Sequence, residues 1–163
     1  MMGGRRVVES AIFVILIGLL FFALMSFWSN FMKSPNIGLE DGKLKRCSSS
    51  PNCICSEYNE DQTHYIEFIH LIKEGAEARE QAAAALEVMG GVVQVLSINY
   101  IHATFKTPVF RFVDDLEIRF TDNRQLHIRS ASRVGYSDLG KNKSRALEFR
   151  RIFQALVTAQ ITK

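Results

Sequence analysis

From Ala11 to Trp28 the chain reads AIFVILIGLLFFALMSFW, eighteen residues without a charge and with Ser26 as the one polar side chain. As an α-helix rising ~1.5 Å per residue, this run extends ~27 Å, close to the ~30 Å hydrocarbon layer of a bilayer. A helix buried in a globular core would carry a polar face, and this one has none. A membrane span over residues 11–32 is therefore expected, with a short stub at 1–10. Arg5, Arg6 and the α-amino group precede the run, and Lys33 is the nearest base beyond it. That bias places the stub in the cytoplasm and the rest of the chain outside. Trp28, Phe27 and Phe31 suit the outer interface. A cleaved signal peptide would have an apolar stretch of ~7–15 residues ending in small side chains. Here the exit reads ALMSFWSNF, and no cysteine follows closely enough for a lipoprotein. The reading is an uncleaved signal anchor: single-pass in the inner (cytoplasmic) membrane, with its domain in the periplasm or an equivalent space.

Residues 33–46 read as a linker, because Pro35, Asn36 and Gly38 interrupt any helix. The domain proper is expected over 47–163, and that length supports one hydrophobic core. It opens with CSSSPNCIC, Cys47 to Cys55. In an oxidising compartment Cys47 and Cys53 can close a small ring through the Ser-Pro-Asn turn, and Cys55 is then either buried or a competitor for the same partner. A metal site is the sharper alternative, but three thiols in nine residues lack a fourth ligand at a usual spacing. No metal and no cofactor are called for.

The remainder alternates strands and helices. HYIEFIHLI, His64 to Ile72, reads as a short strand. Ala76 to Met89 reads as a helix with Ala78, Ala82, Ala85, Leu86 and Met89 on one stripe, preceded by Gly75 and stopped by Gly90-Gly91. Four strand-like runs follow at 92–97, 100–106, 110–121 and 125–133, separated by short turns such as Asp122-Asn123-Arg124. Lys141 to Thr158 closes the chain as a helix with Phe149, Ile152, Phe153, Leu156 and Val157 inward. The expected fold is α+β: an antiparallel meander with two helices on one face, behind a transmembrane helix.

Charge is segregated within this domain. Residues 57–123 hold twelve acids and five bases, while 124–163 hold nine bases and two acids. Two such halves attract each other in a compact fold, so internal ion pairs are expected; a basic last helix on anionic lipid is the weaker alternative. The net charge of +3 gives no ground for a nucleic-acid partner.

Alternation sorts the sheet faces. Phe112, Leu116, Ile118 and Phe120 point one way, and Arg111, Asp115, Glu117 and Arg119 the other. Pairing like faces across the Asp122–Arg124 turn sets Glu117 opposite Arg129 and Asp115 opposite Ala131. His102 on the preceding strand falls opposite Asp115 or Glu117. The polar face thus gathers an imidazole, two carboxylates and the guanidiniums of Arg129 and Arg133. Next comes SASRVGYSDLGKNKSR, a polar loop leading into the last helix, whose free backbone N–H groups favour an anion. Tyr136, Asp138, Asn142 and Arg145 complete the candidate binding set. Against this stands a purely structural account, in which Asp138 or Asn142 caps the helix and the arginines pair with Asp114, Asp115 and Glu117.

Three ordered blocks carry a resemblance: SPNC at Ser50–Cys53, FVDDLE at Phe112–Glu117 and RSASRVGYSDLGKN at Arg129–Asn142. They resemble the signature of domain-of-unknown-function family 1499, over about Leu39 to Phe153. The resemblance implies a fold and a region of interest, not a reaction. By position it singles out Asp114, Asp115, Glu117, Arg129, Ser130, Ser132, Arg133, Tyr136, Asp138 and Asn142. Cys55 departs from it, since a serine is expected there, which counts against a functional thiol.

Three classes of function stand open. One is a non-catalytic binding or assembly module for a small anionic ligand or a membrane protein partner. Another is a hydrolase-like enzyme using His102 with Asp115 or Glu117, though no GxSxG, phosphate loop or HExxH supports it. The third is a structural subunit of an envelope complex.

Overall fold

The computed structural model describes residues 2–31, 36–72 and 75–161. Lys33 and the rest of 32–35, expected at the end of the span and the start of the linker, lie outside these. The apolar run forms one helix, α1 (Met2–Phe31), and its stretch Arg6–Phe31 is long and apolar enough to cross a membrane. Its apolar side chains stand outside the core of the domain, so their surface is left for another medium; Ser29, near its end, is the buried exception.

The expected linker is not featureless. Leu39–Glu40 (β1) and Lys43–Leu44 (β2) form a two-stranded hairpin, turning through Asp41 and Gly42, both at positive φ. Leu44 is wholly buried and fastens the hairpin to the domain.

The main sheet is antiparallel throughout. Its order is β3 (Cys53–Cys55), β8 (Gln125–Ser132), β7 (Val113–Phe120), β6 (Tyr100–Lys106) and β5 (Val92–Leu96). β4 (Ile69–His70) pairs with the same edge of β8, beyond β3. The strand expected over His64 to Ile72 shrinks to β4 and a single bridge from Tyr65 to Cys55. Its first part is a turn instead, because the Asp61 side chain takes the His64 N–H and ring, and the Asp61 carbonyl takes the Tyr65 N–H. The run expected from Phe110 likewise starts late, at Val113. Arg111 adopts a left-handed conformation (φ +56°), and Thr107 closes a loop by accepting the Phe112 N–H on its hydroxyl.

Two helices, α2 (Ala76–Val88) and α3 (Lys141–Ile161), cover one face as expected. They bury Ala82, Ala85, Leu86, Phe149 and Phe153 against Ile101, Leu116, Ile118, Leu126 and Ile128. α2 ends in a Schellman turn: Gly90, at φ +79°, donates to the Glu87 carbonyl and Gly91 to that of Leu86. Gly91 has a second reason to be glycine. A Cβ there would stand 2.6 Å from the Phe105 ring.

The opposite face is covered as well, by the hairpin and the segment that follows it. Glu57 forks onto Arg119 at 2.5 and 2.9 Å and accepts the Leu44 N–H, while Tyr58 donates to the Leu44 carbonyl. The polar face of the sheet is therefore an interior layer.

Candidate functional site

β7 and β8 pair in the register that like-with-like faces require, with Glu117 opposite Arg129 and Asp115 opposite Ala131. Between β6 and β7, the residue opposite His102 is Glu117. The imidazole nevertheless bonds diagonally: its Nε2 lies 2.7 Å from Asp115 Oδ1. Diagonal neighbours in a sheet are within reach of a ring of that length. Asp115 also accepts a fork from Arg133, through Nε at 2.9 Å and Nη2 at 2.8 Å.

Glu117 is the hub of the layer. One carboxylate oxygen accepts from the Tyr100 hydroxyl and the Gly38 N–H, the other from Arg129 Nη1, each at 2.7 Å. Its side chain is wholly buried. Burial and the neighbouring Glu117 charge push the Tyr100 phenol well up, which keeps it a donor. Farther along, His127 stands over Ser56 and 3.6 Å from Glu57, and burial lowers its pKa despite that carboxylate.

Burial alone would raise the Asp115 carboxyl, but the hydrogen bonds from His102 and Arg133 outweigh it and hold it below the usual range. A depressed folded value contributes stability that is present above the unfolded value, ~3.9, and is lost as pH falls through the folded one. In urea unfolding of the detergent-solubilised chain, the stability gap between wild type and Asp115→Asn is expected to narrow below about pH 4. A gap that held constant into acid would mean that ionisation of Asp115 is not what binds this cluster.

Beside this layer lies a cavity of about 230 Å³. Ser48, Ser50 and Asn52 of the cysteine ring form one wall, and Arg129, Ser132, Arg133 and Gly135 the other. The ring is closed by the Cys47–Cys53 disulfide. Asn52 pins it to the sheet: its carbonyl accepts from the Ser132 N–H and from Asn142 Nδ2, and its own amide donates to Gly135 O. Arg129 is 2% exposed, and its Nε has no acceptor among the described residues. Cys55 is buried and free, its thiol pushed up to about 11 chiefly by burial, which makes it an inert filler. A second cavity, about 200 Å³ between β4, α2 and α3, is walled by Ile69, Leu71, Phe153 and Val157 and gathers none of the candidate residues. The chemistry favours the polar one. Among the described residues, no three His, Cys, Asp or Glu side chains cluster as a metal ion requires.

The candidate set divides between two faces. Arg129 and Arg133 line the polar cavity, with Asp115, Glu117 and His102 bonded behind them. Asn142 and Arg145 belong to the helix side of the sheet. Ser130 donates to Asn142 Oδ1 at 2.6 Å, and Arg145 bonds Asn142 at 2.7 Å and Asp114 at 2.6 Å. Asp138 caps α3 by accepting the N–H groups of Gly140 and Asn142, so the helix start already holds a carboxylate. Tyr136 is 75% exposed on the loop, away from both. Strand parity carried the signal for this division, since Asp114, Ser130 and Ser132 share the face of Leu116 and Ile128. The ring residues Ser48 and Asn52 and the cover residue Glu57 were missed; of these the SPNC block pointed to Asn52 alone.

Fold and site together define an α+β domain with one disulfide ring, one buried ionic layer and an apolar N-terminal helix. Its family follows from comparison. Residues 43–153 match the model of the family described as Protein of unknown function (DUF1499), and the chain belongs to that family. No curated protein matches it.

Proposed function

We propose that this protein is a single-pass, membrane-anchored binding module that holds a small anion in the Arg129 cavity without transforming it. On this reading residues 11–32 lie in the inner membrane, the N-terminus is cytoplasmic and the domain is periplasmic or equivalent. The arginines before the span and the disulfide support that orientation. The observation that carries the binding role is Arg129, whose side chain lines a serine-rich cavity and whose buried Nε has no acceptor among the described residues. An unsatisfied donor of this kind costs about 1–3 kcal/mol, which an acceptor-bearing ligand would recover. Glu117 and Asp115 already offset Arg129 and Arg133, so the cavity favours a ligand of low charge, a carboxylate or a singly charged phosphate. The hydrolase reading has no comparable observation: His102 is 4% exposed and its Nε2 is committed to Asp115.

The test is thermal unfolding of the detergent-solubilised chain with acetate or inorganic phosphate, against chloride at equal ionic strength. Saturable stabilisation is expected, growing as RT ln(1 + [L]/Kd) and lost in the Ser48→Ala/Ser50→Ala variant. If neither anion stabilises the wild type beyond chloride, the proposal is wrong.

A further inference from the structure

The loop between β6 and β7 is the feature of the domain that the ionic layer and its cavity do not use. Its sequence from Lys106 is KTPVFRF. Val109 is 79% exposed and Phe110 38%, so an apolar tip stands outside the core, with Lys106 and Arg111 exposed on either side. The tip lies against α1. Phe110 stacks on Phe22 with ring centroids 4.6 Å apart, and Phe112 is 6.5 Å from the same ring. Phe22 is six residues before Trp28, which places the Phe110 ring ~9 Å inward along the helix from the aromatic residues at its end.

Polar contacts fix this arrangement from both sides. The Ser29 hydroxyl, wholly buried, accepts the Val113 N–H at 2.7 Å. Asn30 Nδ2 donates to the Arg111 carbonyl at 2.9 Å. The left-handed conformation of Arg111 turns the chain so that its carbonyl meets Asn30 while Phe110 remains on the helix.

We infer that the β6–β7 loop is a second membrane contact, seated in the same leaflet as the outer half of α1. This rests on the reading of α1 as a membrane span. A bilayer that covers α1 to Trp28 also covers anything stacked on Phe22, so the apolar surface of the tip continues that of the anchor. Pro108, Val109 and Phe110 then enter the acyl region, while Lys106 and Arg111 reach headgroup phosphates in the manner of snorkelling bases. The domain is held at the surface in one orientation. The Arg129 cavity lies at the same end of the sheet, because the Arg133 N–H donates to the carbonyl of Val113, whose own N–H meets Ser29.

The full chain reconstituted into phosphatidylcholine–phosphatidylglycerol vesicles tests this, using lipids brominated on the acyl chains as fluorescence quenchers. Trp28 is the only native tryptophan. In a Trp28→Phe/Val109→Trp variant, the new indole is expected to emit at short wavelength and to lose at least about half its intensity to brominated lipid. Solvent-like, unquenched emission from position 109, with native Trp28 quenched in the parent protein, would overturn the loop contact and leave the anchor standing. Absence of quenching at both positions would overturn the anchor reading and the loop contact together.

Discussion

Replacing Glu117 with alanine is expected to cost the domain about 3–5 kcal/mol, a large share of the 5–15 kcal/mol that holds a typical domain together. The magnitude follows from what the carboxylate serves. It is wholly buried and accepts from Arg129, Tyr100 and Gly38, so its loss leaves a buried guanidinium, a half-buried hydroxyl and a backbone N–H without that acceptor. Among the described residues Arg129 already lacks an acceptor at Nε, and it would then be stripped at Nη1 as well. The Gly38 contact also ties the segment after α1 to the sheet, so its loss loosens the cover of the polar face. Urea unfolding of the detergent-solubilised chain, followed by circular dichroism, measures the effect. A loss below about 1 kcal/mol would mean the pair behaves as a solvated surface bridge. The double replacement Glu117→Leu/Arg129→Met is expected to recover the share of the loss due to the stranded guanidinium, while the Tyr100 hydroxyl and the Gly38 N–H still lack their acceptor. It would also abolish anion stabilisation, which separates the structural share of Arg129 from its share in the cavity.

That hub was partly legible in the residues. Strict alternation along 113–120 and 125–132, joined by a short turn, leaves one register that keeps Leu116, Ile118, Leu126 and Ile128 together, and that register sets Glu117 against Arg129. Segregated charge along the chain foretold the pairs that join its halves: Arg129 with Glu117, Arg133 with Asp115, Arg145 with Asp114 and Arg150 with Glu67. The burial of the polar face was not legible. The elements that cover it are two-residue strands and irregular chain, and neither has a hydrophobic period to detect. Leu44 is a single apolar contact, and Glu57 meets Arg119 across 62 positions with nothing local to announce it. The candidate binding set spans both faces of the sheet for a related reason. Proximity in sequence grouped Arg133 with Asn142 and Arg145, although β8 and the turn into α3 deliver them to opposite faces.

The second large effect is expected at the cysteine ring. Removing the Cys47–Cys53 bridge in a Cys47→Ala/Cys53→Ala variant should lower stability by about 2 kcal/mol, the chain-entropy value for so short a loop. The wider consequence falls on the cavity. Ser48 and Ser50 stand on the ring, and Asn52, next to Cys53, carries the bonds to Ser132, Asn142 and Gly135 that set the ring against β8. An open ring keeps the Asn52 bonds but frees the two serines, so anion affinity should fall by about tenfold, equivalent to ~1.4 kcal/mol of lost preorganisation. In the double variant Cys55 is the one cysteine left, so no bridge within the chain can replace the lost one. In the intact protein its thiol is pushed up to about 11 chiefly by burial, which makes it a poor attacker of the Cys47–Cys53 bridge, because the thiolate is the attacking species. Urea unfolding and phosphate titration of the oxidised, reduced and variant proteins give the two numbers independently. Unchanged stability on reduction would mean that Asn52 alone holds the ring. Lost stability with unchanged anion affinity would mean that the serine wall contributes nothing to binding, and the cavity would then rest on its arginines.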